Sequence, residues 1–99
     1  MTFQQYQKIA LSAASYPNQG RSLIYPALGL ASETGELMEK VQRVLEIGGS
    51  TLDENTRLSI TKDLGDVLWY LTAIGYEIGI TLEDIARCNI EKLGLEKQL

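Results

Sequence analysis

Apolar residues recur at three- and four-residue intervals along most of the chain, with little of the alternation that marks strands. Thr2–Phe3–Gln4–Gln5 has the form of a capping box, opening a first helix that carries Tyr6, Ile9, Ala10 and Ala13 on one face. Tyr16–Pro17–Asn18–Gln19–Gly20 reads as a turn-rich loop. A second helix is predicted from about Tyr25–Pro26 to Ile47, closed by Gly48. Asp53, in the polar connection from Ser50 to Asn55, offers an N-cap to a third helix that runs to about Ile78 and stops at Gly79. Thr81 caps a short fourth helix to Leu93, with Gly94 behind it. The fold expected is all-α: a four-helix, bundle-like protomer with a central antiparallel hairpin, in one domain over residues 1–99.

The apolar stripes also locate the charges. Leu30, Leu37, Val41 and Val44 share one face of the second helix, and Ile60, Leu64, Val67, Leu71, Ile74 and Ile78 share one of the third. Glu33 and Asp63 border these stripes, with Glu36, Lys40 and Arg43 on the flank of the first, and Asp66, Tyr70 and Glu77 on that of the second. Glu33–Thr34–Gly35–Glu36 and Asp63–Leu64–Gly65–Asp66 lie symmetrically about the Gly48–Gly49 turn, so a folded-back hairpin brings Glu36 level with Asp63 and Glu33 with Asp66. Acids on helices usually decorate a solvated face. At a core rim, however, four carboxylates need neutralising, and an oxygen-only set suits a hard divalent ion such as Mg²⁺, with Mn²⁺ as a substitute.

Other residues add smaller hints. Gly35 and Gly65 fall inside predicted helices, which admits either close approach of a ligand or backbone, or simple tolerance. Asn89 lies in the apolar stripe of the fourth helix, free to bond backbone or to read a ligand, with Lys92 one turn further on. Leu58, Trp69, Thr72 and Tyr76 form a second apolar side of the third helix, read as a subunit interface in preference to packing within one chain.

Composition narrows the function classes. A net charge of −4 without a basic run argues against nucleic-acid polymers and anionic membranes as partners. The chain has no histidine, the commonest general base, and its one cysteine, Cys88, excludes an intrachain disulfide and fits a reducing compartment. The start of the chain has no basic segment followed by an apolar run, and a cytoplasmic location is expected.

Leu28–Gly29–Leu30–Ala31–Ser32–Glu33–Thr34–Gly35–Glu36, followed by Lys62–Asp63–Leu64–Gly65–Asp66–Val67–Leu68–Trp69–Tyr70–Leu71, resembles the MazG-like nucleoside triphosphate pyrophosphohydrolases. Their signature is Glu-x-x-Glu, a variable gap, then Glu-x-x-Asp. Thr81–Leu82–Glu83–Asp84–Ile85 and Asn89–Ile90–Glu91–Lys92–Leu93 resemble the family's closing segment. The resemblance implies an all-α protein that forms a homodimer or homotetramer. It also implies Mg²⁺-dependent hydrolysis of (deoxy)nucleoside triphosphates to monophosphate and pyrophosphate, a nucleotide house-cleaning activity. By motif position, Glu33, Glu36, Asp63 and Asp66 become the metal set, with Glu33 or Glu36 directing the attacking water. Asp63 stands where the family usually carries glutamate, one methylene shorter in reach. Lys40, Arg43 and Lys92 are candidates for the phosphates, and Asn89, Tyr70 and Trp69 for the rest of the substrate, with Phe3, Tyr6 and Tyr25 as further stacking candidates. The competing reading is a non-catalytic helical interaction module whose acidic rim binds a cation or a basic partner.

Overall fold

In the computed structural model, which describes residues 1–48 and 52–99, the chain forms α1 (Phe3–Ser12), α2 (Ile24–Glu46), α3 (Glu54–Ile78) and α4 (Leu82–Lys92), with a terminal 3₁₀ turn over Glu96–Gln98. No strand occurs among the described residues, in agreement with the all-α expectation. Most boundaries have their predicted cause, but α2 opens at Ile24, one residue before the expected Tyr25–Pro26, behind Leu23, which makes no side-chain cap. Thr2 and Thr81 make reciprocal capping boxes with Gln5 and Asp84, and Asp53 accepts the Thr56 N–H at 2.7 Å. Gly79 and Gly94 turn the chain at positive φ. Gly49, Ser50 and Thr51, expected in the hairpin turn and its connection, lie outside the described residues.

The α2–α3 hairpin is the main packing unit, with α1 and α4 against α3 and against each other. Its register follows the predicted symmetry, because the Tyr70 ring fills the space where a side chain at Gly29 would stand. On α2 the expected stripe holds: Leu37 is buried and Leu30, Val41 and Val44 are half-buried.

Four expectations about faces are corrected. On α3, Leu64, Leu71 and Ile78 are exposed, because α2 covers only the Val67–Ile74 side of the stripe. Trp69 and Thr72, read as an interface, are instead covered within the chain, the Trp69 indole N–H donating to the Ala10 carbonyl on α1 at 3.2 Å. Ile9 points outward, because α1 packs through Gln7, Ala10 and Leu11 and the Gln7 Oε1 accepts the Leu82 N–H. Asn89 is exposed, because α4 packs through Leu82, Ile85, Ala86 and Ile90, which leaves Asn89 and Leu93 outside the covered face, Leu93 at 59% exposure.

The protomer is open for its size. It exposes 7446 Å² at 11.0 kDa, against about 5,600 Å² for a monomeric globular protein of that mass. Its radius of gyration is 15.8 Å, against about 13 Å for a compact chain of this length. Much of the excess is apolar: by helical spacing Ala27, Met38 and Leu45 of α2 fall on the same side of the hairpin as Leu64, Leu71 and Ile78 of α3, opposite the acidic flank.

Candidate active site

The acidic flank is built by i, i+3 spacing on two helices whose apolar stripes face each other. Glu33 is half-buried, and its carboxyl is raised above the usual range, first by burial and then by the charges of Glu36, Asp66 and Asp63. Glu33 is thus within electrostatic reach of the other three predicted acids.

They do not form one tight cluster. Among the described residues, no three Asp, Glu or Cys side chains stand close enough together to hold one ion. Asp63 is buried at 6% exposure and turned to α2, where Lys40 Nζ lies 2.8 Å from its Oδ2. The angle is not that of a hydrogen bond, so Oδ2 is charge-compensated without a directed donor. Glu36 and Asp66 are exposed. The donor chemistry still fits a hard divalent ion: oxygen ligands only, one of them penalised for carrying its charge.

An aromatic wall stands beside the acids. Tyr25 stacks on Tyr16 with centroids 5.5 Å apart and planes 1° from parallel, and it lies 6.5 Å from Tyr70. Trp69 meets both Tyr16 and Tyr70 edge-on, at 6.2 and 5.2 Å. The Tyr70 phenol is raised by burial, by Tyr25 and by the charges of Glu33 and Asp66; that of Tyr6 on α1 is raised by burial and Asp66. The Asp66 charge thus reaches tyrosines of two helices, and helix spacing on α3 alone gives no clue to Tyr6, which belongs to α1.

The remaining candidates divide by element. Lys40 and Arg43 line a cleft of about 420 Å³ at the end of the hairpin, together with Val44, Asn55 and Ser59. Asn89 and Lys92 are exposed on α4, which packs on α1 and α3 and not on α2, so the protomer does not bring them to Glu33 and Glu36.

The model of the MazG nucleotide pyrophosphohydrolase domain matches residues 23–95. The chain belongs to the MazG nucleotide pyrophosphohydrolase family. The matched segment contains α2, α3 and α4, and so both acidic pairs. The chain is also similar to the Gene 37 protein of Mycobacterium phage L5, with 30% identity over 97 residues, covering 93% of this chain and 85% of that protein. No solved structure matches. No helix among the described residues is long and apolar enough to cross a membrane.

Proposed function

We propose that this MazG-family protein hydrolyses (deoxy)nucleoside triphosphates between the α and β phosphates in a Mg²⁺-dependent reaction, acting as a cytoplasmic house-cleaning enzyme. The carrying observation is the Glu33 carboxyl, half-buried and raised by Glu36, Asp66 and Asp63, on two helices inside the matched segment. Glu33, Glu36 and Asp66 would hold the ion, with Asp63 at its edge. When bound, Mg²⁺ lowers the pKa of water and neutralises phosphate charge.

Glu33 or Glu36 orients the attacking water towards the α phosphorus and takes its proton, the role that histidine fills elsewhere. Lys40 and Arg43, at the cleft beside Asp63, meet the anionic end of the substrate. Tyr70 and Tyr25 give the nucleoside a flat apolar face next to the carboxylates.

The apolar side of the hairpin supports a homodimer or homotetramer. The surface in excess of a compact monomer is about 1,800 Å² per protomer, more than the roughly 800 Å² each partner buries in a standard interface. Asn89 and Lys92 would then join the site only by assembly. The interaction-module reading draws its support from Lys40, which already compensates Asp63; it leaves the raised Glu33 carboxyl without a use.

The test is incubation with a panel of nucleoside and deoxynucleoside triphosphates, with and without Mg²⁺, alongside Glu36→Gln. Metal-dependent monophosphate and pyrophosphate, lost in the variant, is the expected result. No turnover from folded protein would promote the interaction module.

A further inference from the structure

The loop between α1 and α2 is fastened to the end of α3 by one carboxylate. Glu77 Oε2 accepts the Tyr16 hydroxyl at 2.5 Å and the Gly20 N–H at 2.7 Å, and its Oε1 accepts the Ser22 N–H at 3.2 Å. These bonds span 55 to 61 residues of sequence. The loop is shaped to present its donors: Asn18 and Gly20 are at positive φ, and the Arg21 N–H closes a turn on the Asn18 carbonyl. Tyr16 is buried at 7% exposure and carries the stack of Tyr25, while Trp69 abuts both Tyr16 and Tyr70. A continuous set of contacts therefore runs from Glu77 to the tyrosines beside Glu33 and Asp66.

We infer that Glu77 is a positioning residue for the candidate active site: by latching the 16–22 loop it fixes Tyr16, and through Tyr16 the Tyr25–Tyr70 wall on which the nucleoside rests. This deepens the pyrophosphohydrolase reading and rests on it. Glu77 touches neither acidic pair, and the proposed phosphate contacts are elsewhere, so its work falls on the nucleoside end of the substrate. A residue that places a binding wall and not the reacting atoms changes KM and leaves kcat nearly untouched. The protein also carries its own probe, because its single tryptophan stands edge-on to Tyr16.

Full-length Glu77→Ala, Glu77→Gln and Tyr16→Phe are compared with wild type, using the deoxynucleoside triphosphate that wild type turns over best with Mg²⁺. Acrylamide quenching of Trp69 is read in the same samples. Glu77→Ala is expected to raise KM about tenfold or more with kcat within about threefold, and to make Trp69 easier to quench. Glu77→Gln, which keeps one acceptor oxygen, should fall between it and wild type. If Glu77→Ala does not fold, Tyr16→Phe carries the test, since it removes one hydroxyl only. Unchanged KM and quenching in folded variants overturns the inference, as does a lower melting temperature with unchanged KM. If wild type itself fails to turn over any nucleotide, the pyrophosphohydrolase reading falls and the positioning role with it; quenching then reports only whether the latch exists.

Discussion

Lys40 on α2 and Asp63 on α3 meet across the hairpin at 2.8 Å, the lysine 30% exposed at its side chain and the aspartate 8%. This contact compensates a buried carboxylate that has no directed hydrogen-bond donor at Oδ2. Removing one member of a buried pair costs more than the pair itself contributes, because the surviving charge stays desolvated. Lys40→Ala should therefore destabilise the metal-free protein by on the order of 2 kcal/mol, discounted for the exposure of the lysine. Asp63→Asn should cost less, and Mg²⁺ should recover part of the Lys40→Ala loss. Urea unfolding of the two variants, with and without Mg²⁺, checks all three.

Glu33 should trade stability against activity. Burial and three neighbouring carboxylates penalise its charged form, so Glu33→Gln relieves the fold in the absence of metal. The variant should melt no lower than wild type without Mg²⁺, gain less from adding it, and lose about a hundredfold or more in turnover. Thermal scans at several Mg²⁺ concentrations, paired with rate measurements, test the crossing of the two effects.

Glycines on the hairpin should divide by what surrounds them. A methyl group at Gly29 would overlap the Tyr70 ring, so Gly29→Ala should cost about 1–3 kcal/mol and disturb the wall beside Glu33. Gly35 and Gly65 face open space in the protomer, and alanine there should stabilise each helix by about 1 kcal/mol. Unfolding of the three single variants distinguishes them. A loss at position 35 or 65 that grows with protein concentration would place a second copy against that glycine.

Much of this was legible in the sequence, because helix caps are local chemistry. Thr2, Asp53, Thr81, Gly79 and Gly94 each act within one turn, and each boundary lies where they put it. The α2 stripe and the acidic flank follow from one period and one fold-back. Gly29 escaped notice while Gly35 and Gly65 drew it, since what separates them is the ring of Tyr70, 41 positions away along the chain. The outward turn of Leu64, Leu71 and Ile78 had the same origin: periodicity defines a stripe but not how much of it a partner helix covers. The Glu77 latch depends on loop backbone donors that no side-chain pattern announces.

Acid should unfold the protein through carboxylates that accept hydrogen bonds. Glu77 is held below its ordinary value by the Tyr16 hydroxyl and the Gly20 and Ser22 N–H groups, Asp53 by Thr56, and Asp84 by Thr81. For each, the stabilisation is complete above the unfolded-state value, near pH 4, and is lost as pH falls through the lowered folded value. Glu33, raised in the fold, acts in the opposite sense: its contribution declines as pH rises from its unfolded to its folded value. Stability measured from pH 7 to 2 should fall at the acid end, and Glu77→Gln should flatten that fall.

The exposed apolar side predicts association. Leu64→Glu or Leu71→Glu places charge in the middle of that side without touching the acidic flank. Sedimentation should find wild type as a dimer or tetramer and the variants shifted towards monomer.

The central claim, water delivered to the α phosphorus by the Glu33–Glu36 flank, is tested most directly by hydrolysis in ¹⁸O-water with Mg²⁺ and mass analysis of both products. The account predicts one heavy oxygen in the monophosphate and none in the pyrophosphate, with both products lost in Glu36→Gln. Label in the pyrophosphate, or release of diphosphate and phosphate instead, would contradict it.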